Sequence, residues 1–149
     1  MKLTTSSVVP APRDRVFAAI TDPEVLRRAI PGCELLTETA PDSYQAAIKV
    51  GVAGLTGTYA GKAAIRDRNP PESLTLTFEG KGGPGFVRGS AAIGLAVEGE
   101  AMTRVSCDAD VQVGGIIAAV GSRLIEAAAR KLAEDFFRNL SGQLQPQTM

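Results

Sequence analysis

The sequence predicts an α+β domain in which a curved antiparallel sheet of six to seven strands wraps a long C-terminal helix. The middle of the chain, up to Val113, alternates apolar and polar residues with period two. From Gly115 to Leu140, apolar residues recur instead at helical spacing, which predicts one amphipathic helix. A single helix covers a curved sheet only in part, so this fold class leaves room for an apolar ligand.

The N-terminal region predicts a strand followed by two short helices. Residues 3–9 are rich in Thr, Ser and Val, which favours a strand, and Pro12 suits the first position of a helix. Asp22 is a suitable N-cap, and Pro23 the first residue, of a second short helix that ends at Pro31. The two helices therefore form an elbow between the first strand and the rest of the sheet.

Five further segments have one apolar and one polar face, as half-buried antiparallel strands do. Their apolar residues are Tyr44, Ala46, Ile48 and Val50; Tyr59, Gly61, Ala63 and Ile65; Leu74, Leu76 and Phe78; Val87, Gly89, Ala91, Ile93, Leu95 and Val97; and Val105, Cys107, Ala109, Val111 and Val113. In the predicted C-terminal helix, Leu124 and Ala128 share a face with Ile117 and Val120 and are expected to face the sheet. One domain over residues 1–141 and a polar tail over 142–149 are predicted.

Composition excludes several classes of function. The 149 residues include 16 basic and 16 acidic side chains, which argues against a nucleic-acid partner. Histidine is absent, so histidine-dependent triads and histidine-ligated metals are excluded, and we expect neither a metal nor a cofactor. No signal peptide or apolar span is recognisable, so a cytoplasmic protein with free thiols at Cys33 and Cys107 is expected, the alternative being a disulfide.

Small residues on the predicted inward face indicate where a ligand could bind. They either leave a cavity or allow the helix to approach the sheet closely, and the cavity is favoured because they occur on several strands. Tyr59 either orients a ligand carbonyl or is satisfied by a backbone group. The predicted ligand-binding residues are Leu26, Tyr59, Gly61, Phe78, Val87, Gly89, Ala91, Ile117, Val120, Leu124 and Ala128.

Loops around the predicted cavity carry apolar side chains that could contact a membrane or a partner protein. These residues are Val52, Leu55, Phe86 and Ile116. The inward positions, by contrast, include no Asp, Glu, Lys or Arg, so no catalytic residue is predicted and the protein is interpreted as not an enzyme.

Several short motifs resemble the carbon monoxide dehydrogenase CoxG family, within the START/Bet v 1-like (SRPBCC) superfamily. They are Asp22-Pro23-Glu24-Val25-Leu26, Ile30-Pro31-Gly32-Cys33-Glu34, the glycine-rich segment 80–85, Gly121-Ser122-Arg123-Leu124-Ile125, Lys131-Leu132-Ala133 and Phe136-Phe137. The resemblance covers residues 3–141 and implies the helix-grip fold. It also implies a noncatalytic accessory protein of a molybdenum hydroxylase such as carbon monoxide dehydrogenase.

Such accessory proteins are linked to handling a quinone- or lipid-like molecule in the cavity and to recruiting the enzyme to the membrane. Some members have a C-terminal extension with an apolar anchor, and this sequence ends at Met149 without one. We therefore expect transient, peripheral contact with the inner face of the cell membrane. Two alternatives stay open: a cyclase/aromatase-type enzyme on the same fold, and an assembly factor whose interior is filled by its own side chains.

Overall fold

A computed structural model describes residues 1–51 and 55–144. Its elements, in chain order, are β1 (Lys2–Val9), α1 (Arg13–Ile20), α2 (Pro23–Ala29), β2 (Cys33–Ala40), β3 (Ser43–Val50), β4 (Gly57–Asn69), β5 (Ser73–Gly82), β6 (Gly85–Gly99), β7 (Met102–Gly114), a 3-10 helix (Ile116–Val120) and α3 (Ser122–Leu144). The predicted order of strand, two short helices, further strands and long helix is confirmed.

The strands form one seven-stranded antiparallel sheet in the order β1-β7-β6-β5-β4-β3-β2. The chain runs as a meander from β2 to β7, and β1 pairs with β7. The elbow formed by α1 and α2 carries the chain from one edge of the sheet to the other. The predicted sheet of six to seven strands is thus confirmed.

Strand β2 was singled out neither by alternation, which identified β3 to β7, nor by composition, which identified β1. It lies at the edge of the sheet, and most of its residues are exposed, including Leu35. A β-bulge at each end of its pairing with β3 also interrupts the period of two. Its only signal in the sequence is the Leu-Thr composition of residues 35–37.

The elbow follows its sequence signals and is tied to the long helix. The Asp22 carboxylate accepts the backbone N–H of Glu24 at 2.9 Å, which confirms the predicted N-cap of α2. Asn139 and Gln143 of α3 donate side-chain hydrogen bonds to the carbonyl oxygens of Ala29 and Val25, at 3.0 and 3.1 Å. These bonds fix α2 against the C-terminal half of α3.

The prediction of one continuous helix from Gly115 to Leu140 is wrong at both ends. Gly121 adopts φ 94° and ψ 151°, a conformation that side-chain-bearing residues avoid, and it separates the 3-10 helix from α3. At the other end α3 continues to Leu144, which is buried, so residues 142–144 belong to the domain rather than to a tail. Residues 145–149 lie outside the described part of the chain.

The break at Gly121 also changes which side chains of α3 face the sheet. Leu124, predicted to face inward, is 56% exposed, whereas Ile125 and Ala128 are buried. The expectation for Ala128 is confirmed and that for Leu124 is wrong, because the helical phase restarts at Ser122 instead of continuing from Ile117.

The main core occupies one end of the sheet. It is formed by apolar side chains from α1, α2, the second half of α3, β3 and the adjacent ends of β1, β4, β5, β6 and β7. The elements whose backbone lies closest to α3 are α2 and β1. The long helix therefore crosses the sheet near one edge and leaves part of the concave face of β4 to β6 less covered.

Candidate functional site

Strand register brings five of the predicted ligand-binding residues together on the concave face. Phe78 pairs with Gly89, Gly61 lies one strand away beside Ala63, and Val87 and Tyr59 flank them on β6 and β4. All five occupy concave-face positions in the strand register and are only half-buried. We call this partly open surface, formed by Tyr59, Gly61, Phe78, Val87 and Gly89, the inner groove.

The remaining predicted ligand residues, apart from exposed Leu124, lie at different depths, and register does not bring them together with these five. Ala91 and Ala128 are buried, and Ile117 is fully buried with its backbone N–H donating to the Pro84 carbonyl at 2.8 Å. Leu26 on α2 and Val120 in the 3-10 helix are half-buried.

The Tyr59 hydroxyl forms a hydrogen bond with the backbone and is not left free for a ligand. Its hydroxyl donates to the carbonyl oxygen of Leu55 at 2.8 Å, and burial raises the pKa of the phenol. Of the two interpretations of Tyr59, the structure therefore favours the one in which the side chain holds its own loop. The ring still forms one wall of the inner groove.

At Gly61 and Gly89, the backbone of a neighbouring strand occupies the space that a side chain would need. A Cβ at Gly61 would overlap the carbonyl oxygen of Glu79, and one at Gly89 would overlap that of Asp110. These two glycines therefore allow adjacent strands to approach closely, which neither sequence interpretation anticipated. Gly80, beside Gly61, differs: a Cβ there would meet only Cβ of Tyr59, at 3.9 Å.

Two depressions lie at the same end of the molecule as the inner groove. The first, which we call the edge groove, has a volume of about 430 Å³ and lies beside the end of β7 and the start of α3, lined by Met1, Phe86, Val111, Gln112, Val113, Ala118, Ser122 and Ile125. The second, the convex groove, measures about 350 Å³ and is lined by Ala60, Gly61, Glu79, Gly80, Lys81, Phe86, Val87 and Arg88. Both volumes are in the range of small-molecule sites.

The four predicted contact residues differ in position and exposure. Phe86 is not in a loop but in β6, where it pairs with Lys81 and Gly114 on the convex face. Its ring lies against Gly114, and it is 39% exposed. Ile116 is 73% exposed, and Leu55 is half-buried. Val52 lies outside the described residues.

Tyr44 is a feature that the sequence analysis placed inward but did not single out. Its ring is buried in the main core, and its hydroxyl has no hydrogen bond within 3.5 Å, although Glu38 lies opposite Tyr44 on the paired strand. Burial raises the pKa of this phenol, and the charge of the nearby Glu38 carboxylate, with a weak interaction between it and the hydroxyl, raises it further. Alternation alone predicts the burial of the ring, but only the packed structure shows that its hydroxyl is unsatisfied.

We expect Tyr44→Phe to leave the free energy of unfolding unchanged or to raise it by about 1 kcal/mol. The substitution removes a buried hydroxyl that lost its hydration without gaining a partner. Tyr59→Phe is the matched control and should cost about 0.5–1.5 kcal/mol, because it deletes a satisfied hydrogen bond. Urea denaturation of both variants measures the difference, and a greater loss in Tyr44→Phe than in Tyr59→Phe would contradict the assignment.

The thiols of Cys33 and Cys107 are free. Burial raises the pKa of both, so neither is an activated thiolate. Among the described residues there is no group of three His, Cys, Asp or Glu side chains able to hold a metal ion. Within residues 1–51 and 55–144, no helix combines the length and apolar character needed to cross a bilayer.

Comparison with known proteins identifies the family of this domain. The family model for the CoxG subunit of carbon monoxide dehydrogenase matches residues 6–145. The chain belongs to the CoxG family. The match covers the elbow, the sheet and α3, so this CoxG domain includes the inner groove. A search of curated proteins finds no match.

Solved structures similar to this CoxG domain show the same fold. A conserved protein from Geobacillus kaustophilus aligns with TM-score 0.93 and 29% identity, over 97% of this chain and 95% of its own. A START superfamily protein from Mycobacterium smegmatis aligns with TM-score 0.73 and 15% identity, over 96% of both chains. The Zhui aromatase/cyclase from Streptomyces sp. R1128 aligns with TM-score 0.69 and 15% identity, over 97% of this chain and 93% of its own.

Proposed function

We propose that this CoxG-family protein is a noncatalytic carrier of a hydrophobic, quinone- or lipid-like molecule. The observation that carries the proposal is the inner groove, where the side chains of Tyr59, Phe78 and Val87 stay half-open to solvent on the concave face. Exposed apolar surface on a concave face is the usual setting of a small-molecule site. Tyr59 is the one groove residue with an ionisable side chain, and its hydroxyl already has a backbone acceptor. This supports binding rather than catalysis.

The proposed partner is a molybdenum hydroxylase such as carbon monoxide dehydrogenase, as family membership suggests. In this role the protein brings the apolar molecule to the enzyme as its electron acceptor and assists recruitment of the enzyme to the membrane. We place it in the cytoplasm, in peripheral contact with the inner face of the cell membrane. Exposed Phe86 and Ile116 support such a contact at the end of the domain where the grooves open.

Filling the inner groove tests the carrier role. We expect Gly80→Leu to weaken binding of a fluorescent naphthoquinone or fatty-acid probe by about tenfold or more, since 1.4 kcal/mol of lost contact is a factor of ten. Gly80 faces the groove beside Tyr59 with room for a side chain. Probe fluorescence titration measures the dissociation constant, and thermal unfolding confirms that the variant is folded.

Gly83→Leu is the matched control, because Gly83 is exposed and has no atom near its Cβ position. It should bind the probe like the wild type. Equal affinity in both variants would place the ligand outside the inner groove. Absence of probe binding in the wild type would contradict the carrier role and favour an assembly factor.

A further inference from the structure

One surface at the groove end of the molecule combines exposed apolar and basic side chains. Phe86 and Ile116 are its apolar members, and both are exposed. Lys81 pairs with Phe86 across β5 and β6, and Ile116 follows two residues after Gly114, whose backbone lies beneath the Phe86 ring. The basic members are Lys81 and Arg88. We call these four residues the apical surface.

The arrangement of Arg88 makes the surface both cationic and amphipathic. The guanidinium carbon of Arg88 lies 5.8 Å from the centroid of the Phe86 ring, within the range of a cation–π contact. Its Nε donates to Oε1 of Gln112 at 2.8 Å. These contacts hold the charge beside the aromatic ring, and the rest of the guanidinium is available for another acceptor.

The local charge balance is positive although the chain as a whole has a formal net charge of +0. Within the described ranges, Lys81 and Arg88 have no carboxylate within ion-pair distance. The acidic residue of the convex groove, Glu79, is paired with Lys62 at 3.3 Å.

We propose that the apical surface docks on a bilayer containing anionic phospholipids. The inference rests on the membrane contact in the proposed function and identifies both the surface and the lipid chemistry it needs. Apolar side chains beside basic ones suit the boundary between lipid phosphates and acyl chains. Each basic residue near an anionic leaflet adds a favourable, salt-sensitive contribution to binding.

Vesicle flotation tests the proposal with the full chain. We expect the wild type to float with phosphatidylcholine vesicles that contain phosphatidylglycerol but not with pure phosphatidylcholine vesicles. Salt at 0.5 M should release the protein, because the Debye length then falls well below about 8 Å and the charges are screened. Lys81→Gln/Arg88→Gln should weaken binding by about tenfold or more, since each charge near the leaflet is worth about fivefold.

Arg13→Gln/Arg66→Gln is the control: it removes the same charge far from the apical surface and should bind like the wild type. Equal binding of the wild type to neutral and anionic vesicles would overturn the proposal, as would equal weakening in the control. So would capture of an acidic protein without any vesicle binding. Probe uptake separates the two hypotheses, because a wild type that docks on anionic vesicles but takes up no probe contradicts only the carrier role.

Discussion

Replacing Leu140 with alanine is expected to lower the free energy of unfolding by about 2–5 kcal/mol. Leu140 is fully buried where the second half of α3 meets the main core, among side chains from α1 and the sheet. Truncation there loses apolar burial and leaves a cavity that surrounding strands cannot easily collapse into. Urea denaturation followed by circular dichroism measures the change.

Leu124→Ala on the same helix is the matched control. Leu124 is 56% exposed, so its truncation should change stability by no more than about 0.5 kcal/mol. The pair tests the helical phase that begins after Gly121. A large loss in Leu124→Ala would mean that the helix packs as the uninterrupted apolar stripe suggested.

Gly61→Ala is the second substitution with a large expected effect, a loss of about 1–3 kcal/mol from overpacking. The new Cβ would overlap the Glu79 carbonyl oxygen and lie 2.7 Å from Cα of Gly80. Both obstacles are backbone atoms of β5, so no rotamer change relieves the contact and the two strands must move apart. Thermal and urea unfolding measure the loss.

Gly80→Ala provides the comparison for Gly61→Ala, because its Cβ would be 3.9 Å from the nearest atom. We expect the free energy of unfolding of this variant to be within about 1 kcal/mol of the wild-type value. Alanine reduces the conformational entropy of the unfolded chain, and this stabilises the folded state by up to about that amount. Equal losses at both positions would show that glycine flexibility, rather than strand approach, decides the effect.

These results bear on function because the two glycines shape the inner groove differently. Gly61 sets how closely β4 and β5 pair, whereas Gly80 leaves space that a ligand can use. A ligand-dependent rise in Tm in the wild type that is absent from Gly80→Leu would connect this space to binding.

Much of the architecture was determined by local sequence signals. Period-two alternation identified the inward faces of β3 to β7, because an antiparallel strand with one wet face must place its apolar residues on the other. Asp22 and Pro23 marked the start of α2 through capping, which depends on only a few neighbouring residues. The order of these signals, with the motifs, also indicated the CoxG family that the comparison confirms.

Tertiary structure decided what depends on contacts between distant segments. Apolar spacing continues through Gly121, but the backbone there leaves the helix, so Leu124 faces solvent and Ile125 takes the inward place. Likewise, the sequence identified Gly61 and Gly89 as small inward residues, but only strand pairing shows that neighbouring carbonyls occupy the space beside them. Side-chain periodicity records which face of an element is buried; the space left on that face depends on how closely other elements approach it.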